Sequence, residues 1–223
     1  MNSGLKSAFR QLYLELRVAW ATRNSSAAFQ KIEGQSELKV HLGCGPDVRR
    51  GWINVDASLW GRKNETPEAI YVNHDLRRGL PLPQGSCALI YSSHFFEHLD
   101  ETTGASLMRD CFRALRPGGI LRTVLPDMSR IFQAYLNGDD SFFQLMDDHH
   151  LIGDRIGGRV IADYINYAVY QFGEHKSIYD YEKLTRLLSE IGFSSVTKSA
   201  FIEELDVPTD LRRAYSSYTE ARK

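Results

Sequence analysis

Hydrophobic positions follow two different periods along the chain. In residues 5–23 the apolar side chains recur at steps of three and four, which is the period of one helix face. They are Leu5, Phe9, Leu12, Leu16 and Trp20. From Leu38 onward, short apolar runs alternate with helical stretches. This alternation predicts an α/β domain with a mostly parallel sheet, preceded by an N-terminal helix.

The apolar runs predict seven strands. The first five are Leu38–Leu42, Trp52–Val55, Ile70–Val72, Ala88–Tyr91 and Ile120–Leu125, and the last two, Ser194–Ala200 and Tyr215–Arg222, form an antiparallel pair. Helices are predicted over Thr102–Leu115, ended by Pro117-Gly118-Gly119, and over Tyr181–Ile191, ended by Gly192. The pattern therefore describes strands joined by helical crossovers.

Residues 127–175 contain helical patterns and no strand. The predicted helices are Ser129–Leu136, Phe142–Leu151 and Val160–Phe172. We interpret this region as a helical lid, inserted after the fifth strand and covering a site. Residues 1–34 are then an N-terminal amphipathic helix, interrupted at Asn24-Ser25-Ser26, and a linker, and residues 35–223 form the main domain.

The N-terminal helix combines an apolar stripe with basic residues. Lys6, Arg10, Arg17 and Arg23 are opposed by Glu15 alone. One interpretation is a helix that packs on the domain or on a partner subunit. Another is peripheral contact with an anionic membrane surface, because such surfaces bind helices with one apolar and one basic face.

Composition narrows the classes of protein. The 223 residues are 43% hydrophobic and 25% charged, and 27 Lys+Arg against 28 Asp+Glu give a net charge of −1. The lack of a basic excess argues against a dedicated nucleic-acid binder. Cys44, Cys87 and Cys111 are odd in number and lack metal-ligand spacing, which indicates free thiols and a cytoplasmic location. No apolar run reaches the roughly 20 residues of a transmembrane helix.

The strand at Leu38–Leu42 runs directly into Gly43-Cys44-Gly45, and the next strand is followed by Asp56. Glycines at the carboxyl edge of a parallel sheet let a ligand approach the main chain closely. An acidic residue at the end of the second strand is placed to accept hydrogen bonds from ribose hydroxyls. The two features together predict a nucleoside-binding site.

The spacing of these features favours one cofactor. Only nine residues, Gly43 to Gly51, separate the first two strands, too few for a full crossover helix. A dinucleotide rests its pyrophosphate on that helix, and Asp47 would repel phosphate. A positively charged nucleoside without phosphate fits better, as S-adenosylmethionine does. A nicotinamide-dependent oxidoreductase is disfavoured for the same reasons.

From Leu38 to Pro126 the chain resembles the class I S-adenosylmethionine-dependent methyltransferases. The matching motifs are His41-Leu42-Gly43-Cys44-Gly45, Val55-Asp56, Asp75-Leu76, Leu80-Pro81-Leu82-Pro83, Ser86-Cys87-Ala88-Leu89-Ile90, Phe96-Glu97-His98-Leu99 and Ala114-Leu115-Arg116-Pro117-Gly118-Gly119. The resemblance is greatest to quinone-type methyltransferases and to short bacterial members linked to surface polysaccharide synthesis. It implies a Rossmann-like α/β fold with a mostly parallel seven-stranded sheet and an antiparallel last strand.

The resemblance also implies roles for the matching cofactor positions. Gly43 and Gly45 would line the methionine moiety, and Asp56 would bind the ribose hydroxyls. Asp75, together with the backbone of Leu76, would hold the adenine.

Further positions concern the methyl group and its acceptor. Ser93 and His94, after the fourth strand, would lie near the sulfonium. His41 occupies the position next to the methionine amino group, where this family more often has an acid. An oxygen acceptor usually needs a base, and His94 and His175 are the candidates.

Other histidines leave alternatives open. His149-His150 would reach the site from the insertion. His94, Glu97 and His98 have the i, i+3, i+4 spacing that places three metal ligands on one helical face, but we expect no metal because no fourth ligand is evident.

The sequence thus predicts transfer of a methyl group from S-adenosylmethionine to oxygen of a small-molecule or glycan-linked acceptor. The alternative is a non-catalytic protein that binds S-adenosylmethionine as a partner or scaffold. We expect no nucleic-acid partner and no transmembrane segment, and we leave a homodimer open.

Overall fold

Seven strands form one sheet in the computed structural model, which describes residues 25–57, 68–148 and 160–223, with residues 9, 12, 13, 15, 16, 18–20, 22 and 23. The strands are β1 Leu38–Leu42, β2 Ile53–Asp56, β3 Ile70–Asn73, β4 Cys87–Ser93, β5 Leu115–Pro126, β6 Ser195–Ser199 and β7 Ser216–Arg222. Their order is β3-β2-β1-β4-β5-β7-β6. Strand β1 pairs parallel with β2 and β4, β2 pairs parallel with β3, and β6 pairs antiparallel with β7. The predicted Rossmann-like sheet is confirmed.

The described helices are α1 Ser26–Gln30, α2 Glu101–Ala114, α3 Met128–Asn137, α4 Asp140–Asp148, α5 Ile161–Tyr170, α6 Tyr181–Ile191 and α7 Asp210–Tyr215. Three 3₁₀ turns are Leu76–Arg78, Phe96–His98 and Gln171–Gly173. Side-chain caps fix the starts of several of these helices. Asp180, for example, accepts a 2.7 Å hydrogen bond from the backbone N–H of Lys183. Gly192, with φ +117°, ends α6 as predicted.

The predicted boundary between helix α2 and strand β5 was wrong. Helix α2 already ends at Ala114, and Pro117-Gly118-Gly119 lies inside β5 instead of ending the helix. The reason is pairing with the chain end, since Gly118 N donates to Lys223 O at 2.8 Å and Lys223 N donates to Gly119 O at 3.0 Å. The turn at Ser25 agrees with the predicted interruption, and α1 follows it. Helix α7 was not predicted.

The chain divides into two compact units. The first comprises Met1–Ser92, Ser106–Leu121 and Lys223. Its core is formed by the apolar strand residues, of which Val40, Leu42, Val55 and Ile90 are fully buried. These positions alternate with polar ones along β1 and β2, so one hydrophobic face of each strand is covered.

The second unit comprises Ser93–Ala105 and Arg122–Arg222. Helices α3, α4 and α5 fall within the predicted insertion, and their inward faces form an aromatic-rich cluster. Its members include Ile131, Phe143, Met146, Tyr164 and Ala168. The buried aromatic residues Phe142, Phe143 and Tyr164 pack in this core, whereas Phe132, Tyr135, Tyr170 and Phe172 are exposed.

The described residues between Phe9 and Arg23 are helical, as the periodicity predicts. The stripe is exposed: Leu16 is 62% exposed and Trp20 is 71% exposed. Leu5 and the basic residues Lys6, Arg10 and Arg17 lie outside the described residues. Within the described residues, no helix has the length and apolarity needed to cross a bilayer.

Candidate functional site

A turn containing two glycines follows β1 in the first unit. Gly43 has φ +60° and Gly45 has φ +51°, the left-handed region that glycine enters without strain. The backbone N–H groups of Gly43 and Cys44 both donate to Val55 O, at 2.9 and 3.3 Å. Residues 43–52 contain turns and no helix, so the prediction that a full helix does not fit here is confirmed.

Asp56, the last residue of β2, ties this turn to the neighbouring strand. Its Oδ2 accepts a hydrogen bond of 2.6 Å from the N–H of Gly45. A carboxylate offers about four acceptor positions, so this bond leaves capacity for further donors. The structure thus joins Gly43, Gly45 and Asp56 in one site at the ends of β1 and β2.

His41 lies on β1 immediately before the turn and is only 2% exposed. Its Nδ1 lies 3.1 Å from Asp47 O. Burial and, to a smaller extent, the nearby Arg49 lower the pKa of His41 to about 4, so the ring is neutral at pH 7. Asp47 itself accepts hydrogen bonds from Arg49 Nε and Nη2, at 2.9 and 2.6 Å. Asp47 is therefore not an unpaired negative charge. Its repulsion of a phosphate, expected from the sequence, is weakened by Arg49.

Asp75 follows β3 and caps the 3₁₀ turn that contains the buried Leu76. Its Oδ1 accepts hydrogen bonds from Arg77 N and Nε, at 3.0 and 2.9 Å. Burial favours the neutral acid, but the bonds from Arg77 outweigh it and lower the pKa of Asp75. Because β3 pairs in register with β2, with Asp56 opposite Asn73, Asp75 and Leu76 lie at the strand end beside Asp56.

Ser93 ends β4, and His94, the next residue, belongs to the second unit with it. His94 has φ +48°, in the left-handed region, where residues other than glycine are strained. Its backbone N–H donates to Val124 O at 2.8 Å, and its Nε2 lies 2.8 Å from Ser216 Oγ. Such strain is common at functional sites, where the surroundings hold the conformation.

A pocket of about 190 Å³ in the second unit brings His94 and His175 together. We call it the histidine pocket. The residues that line it include His94, Glu97, His98, His175, Arg212 and Tyr215. Burial lowers the pKa values of His94, His98 and His175, so the rings are neutral near pH 7.

Tyr215 adds a donor to this pocket. Its buried hydroxyl has no hydrogen-bond partner among the described residues, and its ring stacks on His94 with centroids 6.1 Å apart. Burial raises its pKa, so the hydroxyl stays protonated. Arg212 and Tyr215 were missed because α7 was not predicted. The sequence feature that could have predicted α7 was Thr209 before Asp210, because threonine is a favourable N-cap residue. In the structure Thr209 Oγ1 accepts a hydrogen bond from Arg212 N at 3.1 Å and caps the helix.

A larger cavity of about 600 Å³ lies elsewhere in the first unit, lined by residues including Phe29, Glu33, His74, Leu82 and Arg113. None of the predicted site residues lines it. It has neither the glycine turn nor the strand-end carboxylate, so size alone does not make it the cofactor site. His149 and His150 lie outside the described residues.

Comparisons with known proteins agree with this arrangement. A family model described as "Methyltransferase domain" matches residues 42–123, a little over a third of the chain. The solved structure of a SAM-dependent methyltransferase from Archaeoglobus fulgidus covers 94% of this chain and 94% of its own, with 18% identity and a TM-score of 0.53. The fold is that of the Rossmann-like methyltransferases.

A second similar structure is a SAM-dependent methyltransferase of Thermotoga maritima, described as a possible histamine N-methyltransferase. It covers 97% of this chain and 95% of its own, with 14% identity and a TM-score of 0.50. A search of curated proteins gave no match. Together the domain match and the fold support S-adenosylmethionine as the cofactor and methyl transfer as the activity.

Proposed function

We propose that this protein transfers the methyl group of S-adenosylmethionine to an oxygen atom of a small-molecule or glycan-linked acceptor. The observation that carries the proposal is the bond between Asp56 Oδ2 and Gly45 N, which closes a glycine turn against a strand-end carboxylate. In this proposal Gly43 and Gly45 contact the methionine moiety and Asp56 accepts from the ribose hydroxyls. Asp75 and Leu76 contact the adenine.

The contacts of His41 and Ser93 with the cofactor stay predictions. His41 is buried and its Nδ1 already faces Asp47 O. His41 would therefore act on the cofactor indirectly, by supporting the glycine turn. The cofactor supplies an electrophilic methyl group, and the protein aligns the acceptor for in-line displacement.

For the acceptor, we propose that His94 and His175 act from the histidine pocket as base or orienting group. Both rings are neutral at pH 7, as a proton acceptor must be. The Tyr215 hydroxyl and Arg212 offer donors to a polar acceptor. A non-catalytic binding role is not favoured, because a binding protein has no need for strained His94 and a second pocket.

Calorimetry with S-adenosylmethionine and its demethylated product tests the cofactor site. Asp56→Ala should bind about 10- to 100-fold more weakly, the usual effect of losing hydrogen bonds to a charged group. Glu33→Ala, in the 600 Å³ cavity, is the matched control and should bind like the wild type. Equal binding by Asp56→Ala, or weaker binding by Glu33→Ala, would move the cofactor away from the glycine turn.

We also propose a cytoplasmic enzyme that touches a membrane through its N-terminal helix. The three cysteines are free and buried, and the exposed stripe of Leu16 and Trp20 accompanies Arg23 on the same helix. The predicted link to quinone or surface-polysaccharide chemistry fits an acceptor held at a membrane. Wild type should sediment with vesicles that contain anionic lipid, and a Leu16→Glu, Trp20→Glu double variant should not. A dimer that dissociates in the variant would assign the stripe to a second copy instead.

A further inference from the structure

One buried carboxylate of the second unit has no hydrogen bond among the described residues. Glu97 lies in the 3₁₀ turn Phe96–His98 and is 3% exposed. Neither Oε1 nor Oε2 has a hydrogen-bond partner among the described residues. His94 Nδ1 lies 3.4 Å from Oε1 but forms no hydrogen bond with it. Burying a carboxylate without a hydrogen bond is costly, and such groups usually signal a missing partner such as an ion.

Two histidines lie beside this carboxylate. The rings of His98 and His175 meet edge to face, with centroids 4.9 Å apart. One ligand atom from each of Glu97, His98 and His175 lies within 4.8 Å of the other two. In a tetrahedral zinc site the ligand atoms are about 3.4 Å apart, so side-chain rotations of about 1 Å would close the group around an ion.

The hydrogen bonds of the two rings leave the metal-binding nitrogens available. His175 Nδ1 lies 2.8 Å from Ala168 O, and His98 Nδ1 lies 3.3 Å from Glu174 O. A carbonyl oxygen only accepts, so each Nδ1 carries the proton and each Nε2 keeps its lone pair. Histidine ligands of metals commonly donate their other N–H to a carbonyl in this way.

The backbone holds the two ligand segments together. Glu97 O accepts hydrogen bonds from Lys176 N at 2.7 Å and from Ser177 N at 3.1 Å. Ser177 Oγ donates to Leu99 O at 2.8 Å. The site is therefore fixed by main-chain contacts before any ion binds, which reduces the ordering cost of binding.

We propose that Glu97, His98 and His175 bind a divalent transition-metal ion of the zinc type. Two imidazoles and one carboxylate are a ligand set of catalytic zinc sites, and three protein ligands leave a position open. This differs from the sequence alternative, because His175 joins Glu97 and His98 in the cluster. His94 stays beside it, with Nε2 2.8 Å from Ser216 Oγ and Nδ1 3.4 Å from Glu97 Oε1. The inference rests on the proposed function in one respect: the open position would take the acceptor oxygen.

Neighbouring charges indicate what the open position would take. Arg212 lines the same pocket, and Lys176 and Glu174 are adjacent in sequence to His175. A divalent ion with one carboxylate keeps a charge of +1, and Arg212 adds to it. The pocket would therefore favour an anionic oxygen, and a metal-bound hydroxyl loses its proton far more readily than a free one. In this arrangement His175 acts through the ion, while His94 remains the candidate base.

The test is zinc binding to chelator-stripped full-length protein, measured by competition with a chromogenic chelator, with the visible spectrum of the Co²⁺ form as a second readout. We expect one ion per chain and a tetrahedral Co²⁺ spectrum. Glu97→Gln and His175→Gln should each bind at least about 100-fold more weakly, since even outer contacts cost 10- to 100-fold. Glu174→Gln, a neighbouring exposed carboxylate, is the matched control and should bind normally.

Circular dichroism must show that the variants are folded, and His98→Gln replaces any variant that is not. Absence of zinc binding in the wild type, or unchanged binding in all folded ligand variants, would overturn the metal site. Cofactor calorimetry on the same samples separates this from the proposed function. Zinc binding that survives while S-adenosylmethionine fails to bind would overturn only the methyltransferase proposal.

Discussion

The two candidate sites are built in opposite ways. At the glycine turn of the first unit, the polar groups are paired with one another: Asp56 with Gly45 N, and Asp47 with Arg49. In the histidine pocket of the second unit, Glu97 has no hydrogen bond among the described residues and His94 is held at positive φ. The first site is satisfied as it stands, whereas the second retains unmet bonding capacity. This difference supports the proposal of a preformed cofactor site in the first unit and of a site completed by its ligand in the second.

The largest effect should come from a buried and fully paired charge of the second unit. Arg122 is completely buried, donates to Glu220 Oε1 at 2.7 Å and Ala200 O at 2.8 Å, and forms an ion pair with buried Asp206. Arg122→Met should lower the free energy of unfolding by about 3–5 kcal/mol, because Asp206 is left buried and unpaired. Urea unfolding measures this.

Arg213→Met is the control for Arg122→Met, since Arg213 pairs with the exposed Glu203. Exposed pairs contribute about 0–1 kcal/mol. If both variants lost equally little, buried charges in this unit would tolerate missing partners, and the lack of one at Glu97 would carry no meaning.

A pH effect of about 3 kcal/mol is expected from His41 in the first unit. Its pKa falls from 6.5 in the unfolded chain to about 4 in the fold, so the unfolded state binds the proton first. The stabilisation from the neutral ring is present above pH 6.5 and is lost as the pH falls through 4. Each pKa unit corresponds to about 1.4 kcal/mol.

The measurement compares wild type with His41→Phe by urea unfolding at pH 7 and pH 4. The wild type should lose about 3 kcal/mol more than the variant over this interval. Equal losses would show that His41 is solvated. The polar groups under the glycine turn would then be less tightly packed than the structure indicates.

The same contrast explains what the sequence could predict. The glycine turn and Asp56 lie within 14 residues of each other in one strand–turn–strand segment, so their spacing alone indicates the site. The strand pattern likewise predicts the sheet, because apolar runs reflect burial directly. The sequence also predicted that Asp75 lies beside this site. Its pairing with Arg77 could not be predicted, because that pairing depends on the 3₁₀ turn.

The histidine pocket was predictable only in parts. His94 and His175 were each predicted as candidates. They line the same pocket because segments 94–98, 167–175 and 211–215 meet in space. Spacing along the chain suggested His94 with Glu97 and His98 as ligands on one helical face. The structure has a short 3₁₀ turn there, and His175 joins Glu97 and His98 in the cluster. His94 lies between Ser216 Oγ, at 2.8 Å, and Glu97 Oε1, at 3.4 Å. Tertiary packing decides such choices.

Removing the unpaired carboxylate should stabilise the metal-free protein. Glu97→Met should raise the free energy of unfolding by about 1–3 kcal/mol, since a buried polar group without partners costs that much. Asp56→Ala should have the opposite sign, because it breaks the bond to Gly45 N. Thermal unfolding in the presence of a chelator compares them. Destabilisation by Glu97→Met would mean that Glu97 is satisfied in solution and that the two sites do not differ.

The smallest effect concerns the backbone of the glycine turn. A Cβ at Gly45 would meet no atom within 4 Å, so only its φ of +51° opposes a side chain. Gly45→Ala should cost about 1–2 kcal/mol, the penalty for a left-handed L-residue, and Gly45→Asn should cost less, because asparagine tolerates this conformation. Urea unfolding gives both values, and calorimetry then shows whether S-adenosylmethionine needs the space beside Gly45. An alanine variant that is stable but no longer binds the cofactor would show that the turn leaves the side of Gly45 open for the ligand. Normal binding by both variants would place the methionine moiety away from Gly45.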